Sequence, residues 1–232
     1  MADLVRTAEL TTPVPSCPGW DVGRLAVHVG AIHRWAAAMV AVQSPVWLDR
    51  REVDDANDGR ADDLAGWLAA GAALVAGMSS ADPDAPMWAW GADQHVRFWP
   101  RRMLHETTVH MADVALALGV EPPIDAAVAA DGIDEFLDNL PKAVRFAPKV
   151  SELRGEGSLH LHGTDGDAEW MIEFTREGFG WRHAHGKASV AVRGRSAELL
   201  LLMYGRRRAD DECFAVFGDR AVLAKWVANS AI

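Results

Sequence analysis

The hydrophobic pattern of this chain changes period once. Up to about residue 140 apolar positions recur at steps of three and four, the spacing of helices with one buried face; from about residue 157 they alternate, the spacing of half-buried strands. Ala2 to Leu10 predicts a short helix. Thr11 to Trp20, TTPVPSCPGW, cannot be helical, because its three prolines and one glycine force an extended, turning path. Asp21 then stands as the N-cap of a long helix to about Val42, with Val22, Leu25, Ala26, Val29, Ile32, Ala36 and Val40 as its apolar stripe. Gln43 to Gly59 is polar and acidic and reads as a loop. A third helix is expected from about Asp62 to Met78, and Ser79 to Pro100, with Trp88, Trp90 and Trp99, reads as a long functional loop. Arg101 to Leu118 returns to helical spacing, with Leu104, Thr108, Met111, Ala115 and Leu118 as the expected buried stripe and Glu106 and His110 on its flank. Asp125 to Leu140 makes a fifth helix, with Ile133, Phe136, Leu137 and Leu140 on one face.

After Pro141 the texture becomes that of a small sheet. Gly157 to Thr164 and Ala168 to Thr175 predict two strands joined by a TDGD hairpin turn, Phe179, Trp181 and His183 a third, and Ser189 to Val192 a fourth. Ser196 to Tyr204 reads as a helix, Cys213 to Phe217 as a strand and Asp219 to Asn229 as a closing amphipathic helix. Helices followed by a mixed segment imply an α+β chain of two domains, residues 1–145 as a helical bundle and residues 150–232 as a small α/β domain, joined near Lys142 to Gly155.

Charge and composition narrow the partners. With 33 acidic residues against 23 basic, a net charge of -10 and no convincing basic patch, the chain is not expected to bind nucleic acid. Its two cysteines, Cys17 and Cys213, stand far apart with no CxxC, so a disulfide framework is not expected and a reducing cytoplasm is. There is no signal-peptide pattern and no apolar run of 18 residues, so a soluble, cytoplasmic protein with no membrane partner is expected.

The chemistry concentrates on Glu106 and His110. Four residues apart on one helix, a carboxylate and an imidazole can converge on one point, which is a metal-ligand spacing. By spacing alone such a pair is more often a surface hydrogen bond. HE at 105 and 106 is not a zincin motif, because His105 and His110 are five apart and lie about 140° apart around the helix. A histidine from the helix Asp21 to Val42 would supply a third ligand and leave a fourth position open. Two are available: His33 falls near the centre of its stripe, His28 on the edge.

VPSCPGWDVGRLAVHVGAIHRWA, then RRMLHETTVHMAD, LHLHGTD, LLLLMYGR and VFGD, resemble the maleylpyruvate isomerase family of mycothiol-dependent enzymes over nearly the whole chain and in the family's order. The resemblance implies a DinB-like helical bundle followed by a sterol carrier protein-like α/β domain. It also implies zinc, or another divalent metal, on His28, Glu106 and His110, and a role in activity for an arginine of the second domain, which maps to Arg206. It favours His28 over His33, and a ligand belongs on the edge of a stripe where it faces a cavity. Mycothiol would be the thiol cosubstrate and a small electrophile the substrate, with the chain monomeric or a homodimer. Thiolate addition to a conjugated cis double bond leaves a single bond free to rotate, and elimination returns the trans isomer; S-transfer would stop after addition or displacement. Two departures from the family stand out: a shorter segment before CPGW, and Met111 where a basic residue often follows the second metal histidine.

Other residues are expected to be structural or solvated. His160 with His162 and His183 with His185 read as polar sheet faces rather than a second metal site. Cys17 reads as packed under a proline turn, His105 as structural, and Asp113 as either an orienting partner of the ligands or merely solvated. Arg206 is equally readable as a solvated helix end. The leading expectation is a zinc- and mycothiol-dependent isomerase or S-transferase. A metal-dependent hydrolase and a non-catalytic binding module on the same scaffold are the alternatives.

Overall fold

The structure is a computed structural model and describes residues 1–56 and 62–231; the end of the acidic loop expected at Gln43 to Gly59 lies outside the described residues. The chain divides into two compact units, Met1–Pro123 and Ile124–Ile232.

The first unit contains α1 (Ala2–Thr7), α2 (Val22–Ala41), α3 (Leu64–Gly77) and α4 (Phe98–Ala117). Asp21 caps α2 by accepting from Arg24 N at 2.7 Å, and Asp63 caps α3 by accepting from Gly66 N at 2.9 Å. The α2 stripe is buried at Val22, Leu25, Ala26, Val29, Ala36 and Val40, packing on Leu64, Trp67 and Leu68 of α3 and, further along, on Met78, Trp99 and Met103. Trp99 is fully buried and meets Trp35 edge-on at 5.0 Å, with Trp88 at 6.1 Å, so the tryptophan-rich segment fills a second core. α4 begins at Phe98 rather than Arg101, because Pro100 falls in its first turn, where the missing N–H has no helical partner to lose.

The buried stripe of α4 also differs from the expected one. Leu104 is 45% exposed, and the buried positions are Arg102, Met103, His105, Thr108, Val109, Ala112, Asp113, Val114 and Ala115. Counting apolar residues alone rotated the stripe, since Arg102, His105 and Asp113 lie inside it. Arg102 and Asp113 can be buried there because they are paired, with Glu106 and with His110 and Ser16 respectively.

The second unit starts with α5 (Ala126–Asn139) and continues through β1 (Ser158–Gly163), β2 (Glu169–Phe174), β3 (Phe179–Arg182), β4 (Val190–Gly194), α6 (Ser196–Met203), β5 (Ala215–Gly218) and α7 (Arg220–Asn229). The sheet order is β3-β2-β1-β4-β5, with β1 and β4 parallel and every other pair antiparallel. Leu159, Leu161, Trp170 and Ile172 share one face, where Trp226 of α7 packs between Phe174 and Phe179 and Trp170 Nε1 donates to Asp134 of α5 at 2.5 Å. α5 therefore belongs to this unit, not to the bundle as its helical period suggested: it packs on α6, with Phe136 and Tyr204 rings 4.5 Å apart. The α+β architecture of the expectation stands, with the division falling before α5. Among the described residues no helix is long and apolar enough to cross a membrane.

Candidate metal centre

α2 and α4 bring His28, Glu106 and His110 together, with one donor atom from each lying within 4.8 Å of the others. His28 Nε2 stands 3.2 Å and His110 Nε2 3.3 Å from the same Glu106 oxygen, Oε1, and the two imidazole rings are edge-on at 5.3 Å. Both nitrogens thus face one point from opposite helices. The other carboxylate oxygen, Oε2, accepts from Arg102 Nη2 at 2.8 Å, one turn earlier on α4. Arg102 in turn lies over the Trp90 ring at 6.0 Å, which ties the tryptophan segment to the site.

Behind His110 stands Asp113, fully buried, whose Oδ2 meets His110 Nδ1 at 2.8 Å. This leaves Nε2 directed at Glu106 and His28, the carboxylate–imidazole arrangement that fixes ligand orientation in metal sites. Asp113 is therefore not solvated. Its own partners come from the segment that begins before α2: Ser16 Oγ donates to Oδ1 at 2.6 Å and Cys17 Sγ to Oδ2 at 3.6 Å.

The CPGW motif explains how that segment reaches the site. Trp20 N donates to Cys17 O at 3.0 Å, and Gly19 has φ +80 after Pro18, which is a turn with proline at its second position and a left-handed glycine at its third. The turn presents Ser16 and Cys17 to Asp113 on one side. On the other it sets the Trp20 ring edge-on to His28 at 5.0 Å. One four-residue turn therefore buttresses both histidines. Cys17, His110 and Asp113 form a second trio of possible donors, but it would take His110 through the nitrogen that Asp113 already holds.

Electrostatics agree with a place prepared for positive charge. Burial alone would raise the Glu106 carboxyl, but the His110 charge, hydrogen bonds from His110 and His28, and Arg102 hold it well below the usual carboxylate range. Burial disfavours charge on His110, yet Glu106, with the hydrogen bonds to Asp113 and Cys17, raises it well above an ordinary imidazole.

His33 is placed apart. It is 1% exposed, its Nε2 lies 2.7 Å from Thr107 Oγ1, and Thr107 donates to Met103 O at 2.7 Å, so Nε2 carries the proton that Thr107 accepts. His33 Nδ1 is buried without a partner, and burial pushes the imidazole down to about 4. His33 is thus a core residue and joins none of the donor trios. Arg206 lies in the second unit just past α6, its Nη1 donating to Tyr204 O at 2.7 Å and its guanidinium 5.8 Å from the Tyr204 ring. A cavity of about 420 Å³ lined by Arg34, Asp55, Asp62, Asp63, Trp67 and Ala70 opens elsewhere in the first unit and shares no residue with the trio.

Sequence reasoning missed Arg102 and Ser16. Arg102 had a legible signal, its four-residue spacing from Glu106; Ser16 had none, because 97 residues separate it from Asp113.

The Mycothiol maleylpyruvate isomerase N-terminal domain model matches residues 1–115 and the MDMPI C-terminal domain model residues 127–225. No curated protein matches the chain. The crystal structure of the mycothiol-dependent maleylpyruvate isomerase is similar to it at 13% identity and a TM-score of 0.53, covering 93% of this chain and 86% of that one. A histidine-to-alanine mutant of that enzyme is similar at 15% identity and a TM-score of 0.56, covering 89% of this chain and 83% of that one. At such identities these likenesses speak for the fold alone. Matched by the family's N-terminal model over its helical unit and by its C-terminal model over its sheet, the chain belongs to the mycothiol maleylpyruvate isomerase family.

Proposed function

We propose that His28, Glu106 and His110 hold zinc, or another divalent metal, and that the chain uses mycothiol in a maleylpyruvate isomerase-like reaction on a small electrophile. The observation that carries this reading is the convergence of His28 Nε2 and His110 Nε2 on one Glu106 oxygen, with Asp113 behind His110. Two imidazoles and a carboxylate suit zinc chemically, and three protein ligands leave a position open. Zinc at such a site supplies Lewis acidity that keeps a coordinated thiol deprotonated, whereas a free thiol of pKa about 8.5 is only a few per cent thiolate at pH 7.

The chain's own residues do the positioning. Asp113 holds His110 in the tautomer that leaves Nε2 for the centre. Arg102 occupies Glu106 Oε2 and leaves Oε1 for it. Trp20 limits rotation of the His28 ring by packing on its edge. Arg206, as a planar two-pronged donor, would hold a substrate carboxylate. Isomerisation and S-transfer share all of these roles.

The test is zinc content and turnover of maleylpyruvate with mycothiol, measured on the wild type and on His28→Ala and His33→Ala separately. Loss of both zinc at this site and turnover in His28→Ala, with both retained in His33→Ala, is expected. Turnover that is unchanged without any low-molecular-weight thiol would sink the mycothiol reading and favour a hydrolase. A metal-free, inactive wild type would favour a binding module.

A further inference from the structure

The sheet face opposite Leu159 and Leu161 carries a second convergence of imidazoles. His160 and His162, two apart on β1, share that face, and Glu169 of β2 stands directly across from His162 in the antiparallel register. His160 Nε2 and His185 Nδ1 each lie 2.8 Å from Glu169 Oε2, and His162 Nδ1 lies 2.9 Å from Oε1. The three rings are 5.3 to 6.4 Å apart and turned 67° to 90° to one another. His160 is 5% exposed, so the reading of this pair as an exposed polar face fails for it.

His183 and His185 do not act as a pair either, because β3 ends at Arg182 and the strand spacing stops there. His183 instead anchors the segment: its Nδ1 contacts Glu169 O at 3.0 Å and its Nε2 contacts Asp134 Oδ2 at 3.1 Å. The anchor delivers His185 to the sheet, while Gly186 passes over Met171 so closely that an added Cβ would stand 3.1 Å from its Cε.

We infer that His160, His162, Glu169 and His185 form a second cation site, built for a zinc-class divalent ion, that fastens the segment after β3 to the sheet. Four donor atoms, one from each residue, lie within 4.8 Å of one another, and a tetrahedral ion with bonds of about 2.0–2.1 Å holds its donors about 3.3 Å apart, so small rotations close the shell. Two of the imidazoles and the carboxylate sit on paired strands, so most of the geometry is set before any ion arrives. Three nitrogens to one oxygen select a zinc-class ion over calcium or magnesium, which take oxygen-rich shells of six or more. With four protein ligands the shell is closed, which marks a structural rather than a catalytic site. The 79% exposed His185 side chain is the ligand through which the ion enters.

The test uses the full-length chain, stripped of metal and titrated with cobalt(II), whose visible spectrum reports tetrahedral coordination, and then with zinc. In a His28→Ala background, which removes the first centre's contribution, one tight equivalent is expected; adding His162→Ala and His185→Ala should abolish it. Glu169→Gln keeps the side chain's size, leaves three imidazoles and should weaken the equivalent, so a folding defect in the multiple variant does not hide the answer. Failure of His28→Ala to bind any metal, persistence of its equivalent in the His162→Ala/His185→Ala version, or unchanged affinity in the Glu169→Gln version, overturns the proposal. The first centre is read separately, from the equivalent that remains in a His162→Ala/His185→Ala protein with His28 intact.

Discussion

Acidification should unfold the first unit partly through one residue, His33. Its ring is 1% exposed, Nε2–H is engaged by Thr107, and Nδ1 has no acceptor or donor partner, so a second proton would place an uncompensated charge in the core. Desolvation is the main cause of a value pushed down from 6.5 to about 4, with Arg34 adding to it and Glu106 opposing it. Above pH 6.5 His33 is neutral in both folded and unfolded chains, and its full contribution to stability is present. As pH falls through 6.5 the unfolded chain takes up a proton that the folded one refuses, and stability is lost until the folded value near 4 is reached. The separation corresponds to about 3 kcal/mol, spread at up to about 1.4 kcal/mol per pH unit. The perturbation is His33→Gln, which retains an N–H for Thr107 but cannot titrate. Urea unfolding in the presence of a chelator, so that proton-driven metal release does not contribute, should show the stability gap between wild type and variant closing by about 3 kcal/mol from pH 7.5 to pH 4. Parallel losses in the two proteins, or an NMR titration of the His33 ring with a midpoint near 6.5, would refute the reasoning.

Asp113→Asn keeps the shape but weakens the hold on His110 Nδ1, and should lower zinc affinity by about 10–100-fold in a chelator competition; unchanged affinity would remove Asp113 from the centre. Arg102→Met deletes the charged hydrogen bond to Glu106 Oε2 and should cost about 1.5–3 kcal/mol in chelated protein and less when zinc is saturating; equal losses in both states would show that Arg102 and the metal do not share Glu106. Gly30→Ala would set a Cβ 2.1 Å from Trp67 Cζ3, so overpacking of about 1–3 kcal/mol should outweigh the helix preference of about 1 kcal/mol, and calorimetry should find a lower Tm.

Local signals read well here. The caps at Asp21 and the strands from Ser158 onward follow from residue chemistry and period, which act within a few residues. The Glu106 and His110 pair was legible for the same reason, since one helical turn joins them. The structure departs from the expected pattern where a helix face had to be matched to what it packs against. Helical period placed α5 among helices, but period reports a repeat and not what the apolar face meets, and α5 meets α6 and Trp170. The α4 stripe was misplaced because Arg102, His105 and Asp113 are buried, whereas apolar periodicity assigns charged and polar residues to the exposed face.

The CPGW stretch shows both sides at once. By itself the sequence determined that Cys17 to Trp20 must turn, because proline restricts φ and glycine alone adopts φ +80 without strain. It likewise determined that His160 and His162 share a sheet face, because a strand's side chains alternate. Only the tertiary structure decided that the turn props Asp113 and His28, that Arg102 takes one oxygen of Glu106, and that a segment anchored by His183 brings His185 onto Glu169. Apart from Arg102 and Glu106, which one helical turn joins, those are contacts between residues far apart in the chain, set by how whole elements pack rather than by the conformational preferences of any one of them.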